Sequence, residues 1–143
     1  MARRQYSKSD IKKLDLPIEI SKKANIAEED DKLVIDNKVS FLKYEENWFP
    51  HLKLLLTNSS ILPKVTVDMG AVKFVVNGAD IMRPGITNIE DFDKGAFVVV
   101  IDETHEKPLS VCKTLFSAEE MRNQSSGKVL KNLHYIGDEF WNL

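Results

Sequence analysis

The stretch Val67-Asp68-Met69-Gly70-Ala71-Val72-Lys73-Phe74-Val75-Val76-Asn77-Gly78-Ala79-Asp80-Ile81-Met82-Arg83-Pro84-Gly85-Ile86 decides how this chain folds. Its centre, residues 71–76, is apolar and β-branched, and a run this short fits a buried strand or a helix equally well by periodicity. The flanks favour a helix. Asp68 stands where an N-cap side chain accepts from the first free amides, and Gly78 stands where a glycine closes a helix in a left-handed conformation. A strand at 65–67 precedes the helix and a β-rich run at 79–82 follows it. Arg83 precedes Pro84, whose ring disfavours the helical conformation in its neighbour, so Arg83 is expected to be extended.

Toward the C-terminus, residues 96–101 and 109–115 read as strands, and residues 117–123 as a short helix. Ser117 with Glu120 three positions later forms the pattern of a capping box. Residues 129–135 and 139–141 complete the set as two further strands. Toward the N-terminus, Ile61, Leu62 and Pro63 form a seam, because Pro63 continues neither element and a strand begins beyond it. Residues 1–62 are expected to be one small α+β unit and residues 63–143 another.

Within the first unit, Arg3 to Tyr6 reads as a basic extended piece, with Ser7 or Ser9 capping a helix near Asp10 to Leu14 that Pro17 ends. A second helical piece is expected over 18–24, and the acidic run 28–31 as a solvated loop. Residues 32–35 and 38–44 lean toward strand. Asp36 and Asn37 between them tolerate the positive φ of a two-residue turn, which predicts a β-hairpin. Pro50 suits the first turn of a helix carrying Leu52, Leu55 and Leu56, stopped by Asn58 and two serines.

The chain has 143 residues, 43% hydrophobic and 29% charged, an ordinary balance for a folded soluble protein. Net charge is −2 and the pI about 5.9, so a nucleic-acid site, if present, is local rather than spread over the molecule. A single cysteine, Cys112, excludes an internal disulfide and sits in an apolar run. No stretch approaches the apolar length of a membrane span and no leader-like h-region follows the basic start, which sets the cytoplasm as the expected location.

Catalytic patterns are lacking. Gly70, Gly78 and Gly85 do not form a dinucleotide fingerprint, and no phosphate-cradling P-loop pattern occurs. His105-Glu106 opens like a zinc-protease pattern, but Leu109 occupies the position of the second histidine. His51, His105 and His134 lack the paired spacing of zinc sites, and Cys112 has no nearby base. The chain is therefore expected to be non-enzymatic, without metal or cofactor.

The quoted stretch resembles the opening of PUA domains, named for pseudouridine synthases and archaeosine transglycosylases. Gly127-Lys128 through Leu133-His134-Tyr135 and Gly137-Asp138-Glu139-Phe140-Trp141 resemble the closing strands of the same domain. The combination is similar to the malignant-T-cell-amplified-sequence proteins, their archaeal relatives and the N-terminal part of the ligatin-type initiation factor. Resemblance of the first 62 residues to a pre-PUA domain rests on the run from Phe49 to Leu56 and on the Ile61-Leu62-Pro63 seam.

The resemblance implies a mixed β pseudo-barrel with two short helices, binding ribosomal RNA or the acceptor end of tRNA. The surface it implies comprises Gly78, Ala79, Asp80, Ile81, Met82, Arg83, Pro84 and Gly85, with a rim from the last strands. Gly78 lets an RNA backbone approach closely, Arg83 offers a planar guanidinium for phosphate or base, and Lys73, Lys128 and Lys131 add positive charge. Each residue has a plainer reading: Gly78 as a helix terminator, Phe74, Ile81 and Met82 as core, Tyr135 and Trp141 as buried anchors, Arg83 as a solvated turn residue, His134 as structural. Two further functions stay open, an RNA-binding accessory subunit for an RNA-modification enzyme and a protein-interaction module. The family's eukaryotic members work with a separate partner protein, which makes residues 1–62 a candidate docking unit. DNA is not expected as a partner.

Overall fold

A computed structural model describes residues 2–143. They form two compact units, one ending at His51 and one spanning Leu52–Leu143. The class is α+β, as expected.

The first unit is an antiparallel meander: β1 (Arg3–Gln5), helix α1 (Lys8–Lys12), then β2 (Ile26–Glu29), β3 (Lys32–Ile35), β4 (Lys38–Tyr44) and β5 (Asn47–Pro50), with neighbours paired in chain order. Three two-residue turns connect β2 to β5. Each places both residues in the left-handed region: Asp30 and Asp31 (φ 49° and 61°), Asp36 and Asn37 (49° and 66°), Glu45 and Glu46 (48° and 65°). That is the geometry whose twist matches the flanking strands. The core consists of Ile26, Ala27, Leu33, Phe41, Leu42 and Phe49, all nearly or fully inaccessible.

Three local expectations fail. Residues 18–24 form no helix, because their apolar residues alternate with exposed ones instead of recurring at helical spacing. The acidic run is half strand: Glu28 and Glu29 belong to β2, and only Asp30 and Asp31 turn the chain. Pro50 ends β5 opposite Phe41 rather than starting a helix, a place an edge strand allows because a proline has no amide to donate.

The second unit begins with α2 (Leu52–Thr57) and continues through β6 (Lys64–Val67), α3 (Met69–Val75), β7 (Ile81–Met82), β8 (Ile86–Ile89), β9 (Phe97–Asp102), β10 (Pro108–Thr114), α4 (Ala118–Arg122) and β11 (Lys128–Tyr135). Its strands make one curled six-stranded sheet in the order β7-β11-β10-β9-β6-β8, antiparallel except for the parallel pair β6 and β9. This is the expected mixed barrel-like sheet. Helix α2 precedes the expected seam at Ile61 to Pro63 and packs against β10. Val65, Val67, Val98, Val100, Met121, Val129 and Leu130 form its core, each fully buried.

Several buried polar groups in this unit are engaged with one another or with backbone, although the side-chain oxygens of Gln124 and Asn132 are buried without a hydrogen-bond partner. The Leu52 amide donates to His134 Nε2 at 3.2 Å, so the ring proton sits on Nδ1 and faces the Asp138 carboxylate at 2.9 Å. Asp138 also accepts the amides of Tyr135 and Phe140. Residues 139–141 are consequently turns wrapped on this carboxylate and not the expected final strand. Asp102, 3% exposed, accepts the amides of His105 and Lys107 at 2.6 and 2.8 Å and so shapes the turn from β9 to β10. Burial alone raises its pKa, but those amides outweigh it and hold the carboxyl below its usual value. Complete burial inside β10 pushes the Cys112 thiol up to about 12, which suits an inert core residue.

Candidate nucleic-acid interface

Helix α3 starts as the flanks indicate, with the Asp68 side chain accepting the Ala71 amide at 2.9 Å. It ends at Val76, and Gly78 turns the chain with φ +89°. A β-carbon at Gly78 would lie 2.9 Å from Tyr135 Cε1. The loop thus needs glycine twice over, for its left-handed backbone and for the tyrosine ring packed against it.

Asn132 of β11 fastens this loop from below. Its side-chain nitrogen donates to the carbonyls of Val75 and Ala79, each at 3.0 Å, and its amide donates to Asp80 Oδ1 at 2.9 Å. Asp80 in turn pairs with Lys128 at 3.4 Å. With β7 hydrogen-bonded to β11, Met82 sits opposite Lys128. Gly78, Ala79, Asp80, Met82, Lys128 and Lys131 are therefore carried by the loop after α3, by β7 and by β11, the strand that pairs with β7. Asn132 carries no local signal, because its role depends on acceptors more than fifty residues away.

The three residues Arg83, Pro84 and Gly85 form a tight helical turn, so Arg83 is not extended as expected. Its Nε donates to the Met121 carbonyl at 2.7 Å and its Nη1 to the Ile86 carbonyl at 3.2 Å. The guanidinium ties this turn to the end of α4. Gly85 fits closely under α3, since a β-carbon there would lie 3.3 Å from that of Ala71.

Two residues read as core are on the surface. Phe74 is 57% and Met82 51% exposed, whereas Ile81 is buried as expected. Phe74 and Lys73 share the outward face of α3, with Lys73 Nζ 5.1 Å from the Phe74 ring centre. Met69, on the same helix, is 45% exposed. The result is an aromatic and thioether surface with lysines beside it, next to a loop where backbone is accessible. A surface of this chemistry is one on which unpaired bases can stack and phosphates can meet ammonium groups.

Among the described residues no group of three or more metal-ligating side chains comes together, and no helix is long and apolar enough to cross a membrane.

The PUA domain family model matches residues 63–136, and a domain of unknown function (DUF1947) matches residues 5–58. An uncharacterized protein of Methanocaldococcus jannaschii is 38% identical over 98% of this chain and 96% of its own length. Translation machinery-associated protein 20 of Saccharomyces cerevisiae is 33% identical over 76% of this chain and 64% of its own. Malignant T-cell-amplified sequence 1 of Rattus norvegicus is 32% identical over 78% and 64%. The chain thus matches less than two thirds of the yeast and rat proteins. Among solved structures, a hypothetical protein of Pyrococcus horikoshii superposes with a TM-score of 0.84 at 26% identity, covering 99% of this chain and 98% of that one.

Proposed function

The chain belongs to the PUA domain family, with relatives of the translation machinery-associated and malignant T-cell-amplified type, and on that premise we propose that it binds RNA and serves translation. The RNA is a ribosomal RNA or the single-stranded acceptor end of a tRNA. It lies on the loop from Gly78 to Asp80, with Lys73 and Phe74 on one side and Met82, Lys128 and Lys131 on the other. No bond-making step is part of this reading.

The exposure of Phe74 and Met82 beside the Gly78 loop carries the proposal. Burying such side chains is the ordinary outcome of folding, and here they stand outward next to lysines. An unpaired 3′ end supplies base faces for them, while a regular duplex hides its bases. Arg83, Pro84 and Gly85 support the loop from the adjacent turn, and Arg83 keeps part of its guanidinium for a phosphate.

The test is binding of labelled tRNA, and of small ribosomal subunits, to wild type, Phe74→Ala and Lys73→Glu/Lys131→Glu. These positions are exposed, so folding survives the changes. Phe74→Ala should weaken binding by about fivefold to a hundredfold, the usual worth of one stacked base. The double variant should weaken it further at low salt. Equal binding by all three proteins would remove RNA from this face, and tRNA trimmed of its single-stranded end should bind poorly if the acceptor end is what is read.

A further inference from the structure

A row of aliphatic side chains in the N-terminal unit lies outside its sheet. Between α1 and β2 the chain forms neither helix nor strand up to Asn25, and Leu14, Leu16, Ile18 and Ile20 are half-buried while the residues between them are exposed. Together with Ile11 of α1 they line a groove of about 450 Å3. Apolar side chains at every second position mark one side of a strand-like segment, yet this segment joins no sheet. Among the described residues, no backbone amide or carbonyl of residues 15–20 makes a hydrogen bond within the protein.

Lys8, Lys12 and Lys22 also line the groove. Among the described residues none of the three has a carboxylate within ion-pair distance, whereas Arg3 of the same unit has one and Arg4 and Lys43 have two each. Charge in this unit is polarised. Residues 2–24 hold seven lysines and arginines against three carboxylates, and residues 25–51 hold three against seven.

We propose that this groove docks a segment of a partner protein in which aliphatic side chains are flanked by aspartate and glutamate. The aliphatic anchors enter between Ile11 and Ile20, the carboxylates meet the three lysines, and the unpaired backbone of residues 15–20 is open to main-chain hydrogen bonds of the kind an added strand makes. Nucleic acid fits the site less well, because aliphatic walls give bases no ring to stack on. A second copy fits less well too. The large apolar side chains that the chain exposes among its described residues, Leu56, Met69, Phe74, Met82 and Leu143, all lie outside the acidic half of the N-terminal unit.

The experiment is selection of short random peptides displayed on phage against the full chain, as wild type, as Leu16→Glu and as Lys8→Glu/Lys12→Glu/Lys22→Glu. Wild type should enrich peptides that combine aliphatic and acidic residues. Leu16→Glu should lose them, with Leu16→Ala as the gentler variant if the glutamate disturbs folding by circular dichroism. The lysine variant should bind the wild-type peptides at least about tenfold more weakly, a difference of roughly 1.4 kcal/mol, and should enrich basic peptides in their place. Selected peptides without an acidic bias, or peptides indifferent to both variants, would overturn the proposal. So would tRNA binding that disappears in the lysine variant, or a concentration-dependent dimer that both variants dissolve. The groove and the RNA face lie in different units, so Phe74→Ala leaves peptide capture unchanged and failure of one reading is visible apart from the other.

Discussion

At Gly78 two independent constraints meet, a φ of +89° and a tyrosine ring where a β-carbon would go. Gly78→Ala should therefore destabilise the second unit by about 1–3 kcal/mol, the cost of a residue held in a sparsely populated backbone region. Urea unfolding measures this, and combining it with Tyr135→Leu should recover part of the loss if the ring contact matters. A loss unchanged by the second substitution would assign the whole effect to the backbone. Asp102 makes a separate prediction. Its pKa is lowered on folding, so its stabilisation is complete above the unfolded value near about 3.9 and disappears as pH falls through the folded one. Asp102→Asn should accordingly be less stable at neutral pH and lose less on acidification, and equal acid slopes for the two proteins would contradict this. Glycine at 78 was legible in sequence because glycine has few reasons to follow a capped apolar run. The surface positions of Phe74 and Met82 were not, since composition does not tell which apolar residues folding leaves outside. Nor was the anchoring of Arg83, whose acceptor on Met121 lies 38 residues downstream.

Elements whose signals are local emerged as expected. The capping box of α4 forms, with the Ser117 side chain and the Glu120 carboxylate each accepting the other's amide, and Asp36-Asn37 makes the hairpin between β3 and β4. The other two hairpins were hidden because Asp30-Asp31 and Glu45-Glu46 resemble solvated acidic loops and not turns. Residues 18–24 misled for the opposite reason: they are apolar enough for a helix, but their spacing of two belongs to a strand-like row. Glutamate in the left-handed region is strained, at roughly 1–2 kcal/mol for an ordinary residue. Replacing Glu45-Glu46 by Asn-Gly, the pair that this turn geometry favours, should raise the stability of the N-terminal unit by about 1 kcal/mol, part of the relief being offset by the greater freedom of glycine in the unfolded chain. Thermal unfolding followed by Trp48 fluorescence would read it. No gain, or a loss, would mean that the strands hold this turn open regardless of its residues.

Across the whole chain the net charge is only −2, so on the proposed reading RNA binding would depend on a few lysines, Lys73, Lys128 and Lys131. With Lys73, Lys128 and Lys131 each meeting one phosphate, the logarithm of affinity should fall against the logarithm of salt with a slope of about −2, as for three contacts to a single strand. A much steeper slope would mean that basic residues elsewhere take part. The division of the chain yields the last expectation. A seam at Ile61 to Pro63 is what proline and a change of element suggest, and the PUA family match begins at residue 63, while the compact unit that contains it starts at Leu52, with α2 packed on β10. Cutting at the apparent seam removes the Leu52 amide from His134 Nε2, a fully buried acceptor, and such an orphaned group costs about 1–3 kcal/mol. It also removes Leu52 and Leu55, both wholly buried. A polypeptide of residues 52–143 should therefore unfold cooperatively in urea at a clearly higher midpoint than one of residues 63–143. If the two unfold at the same midpoint, α2 contributes nothing to this unit and belongs with the residues before it.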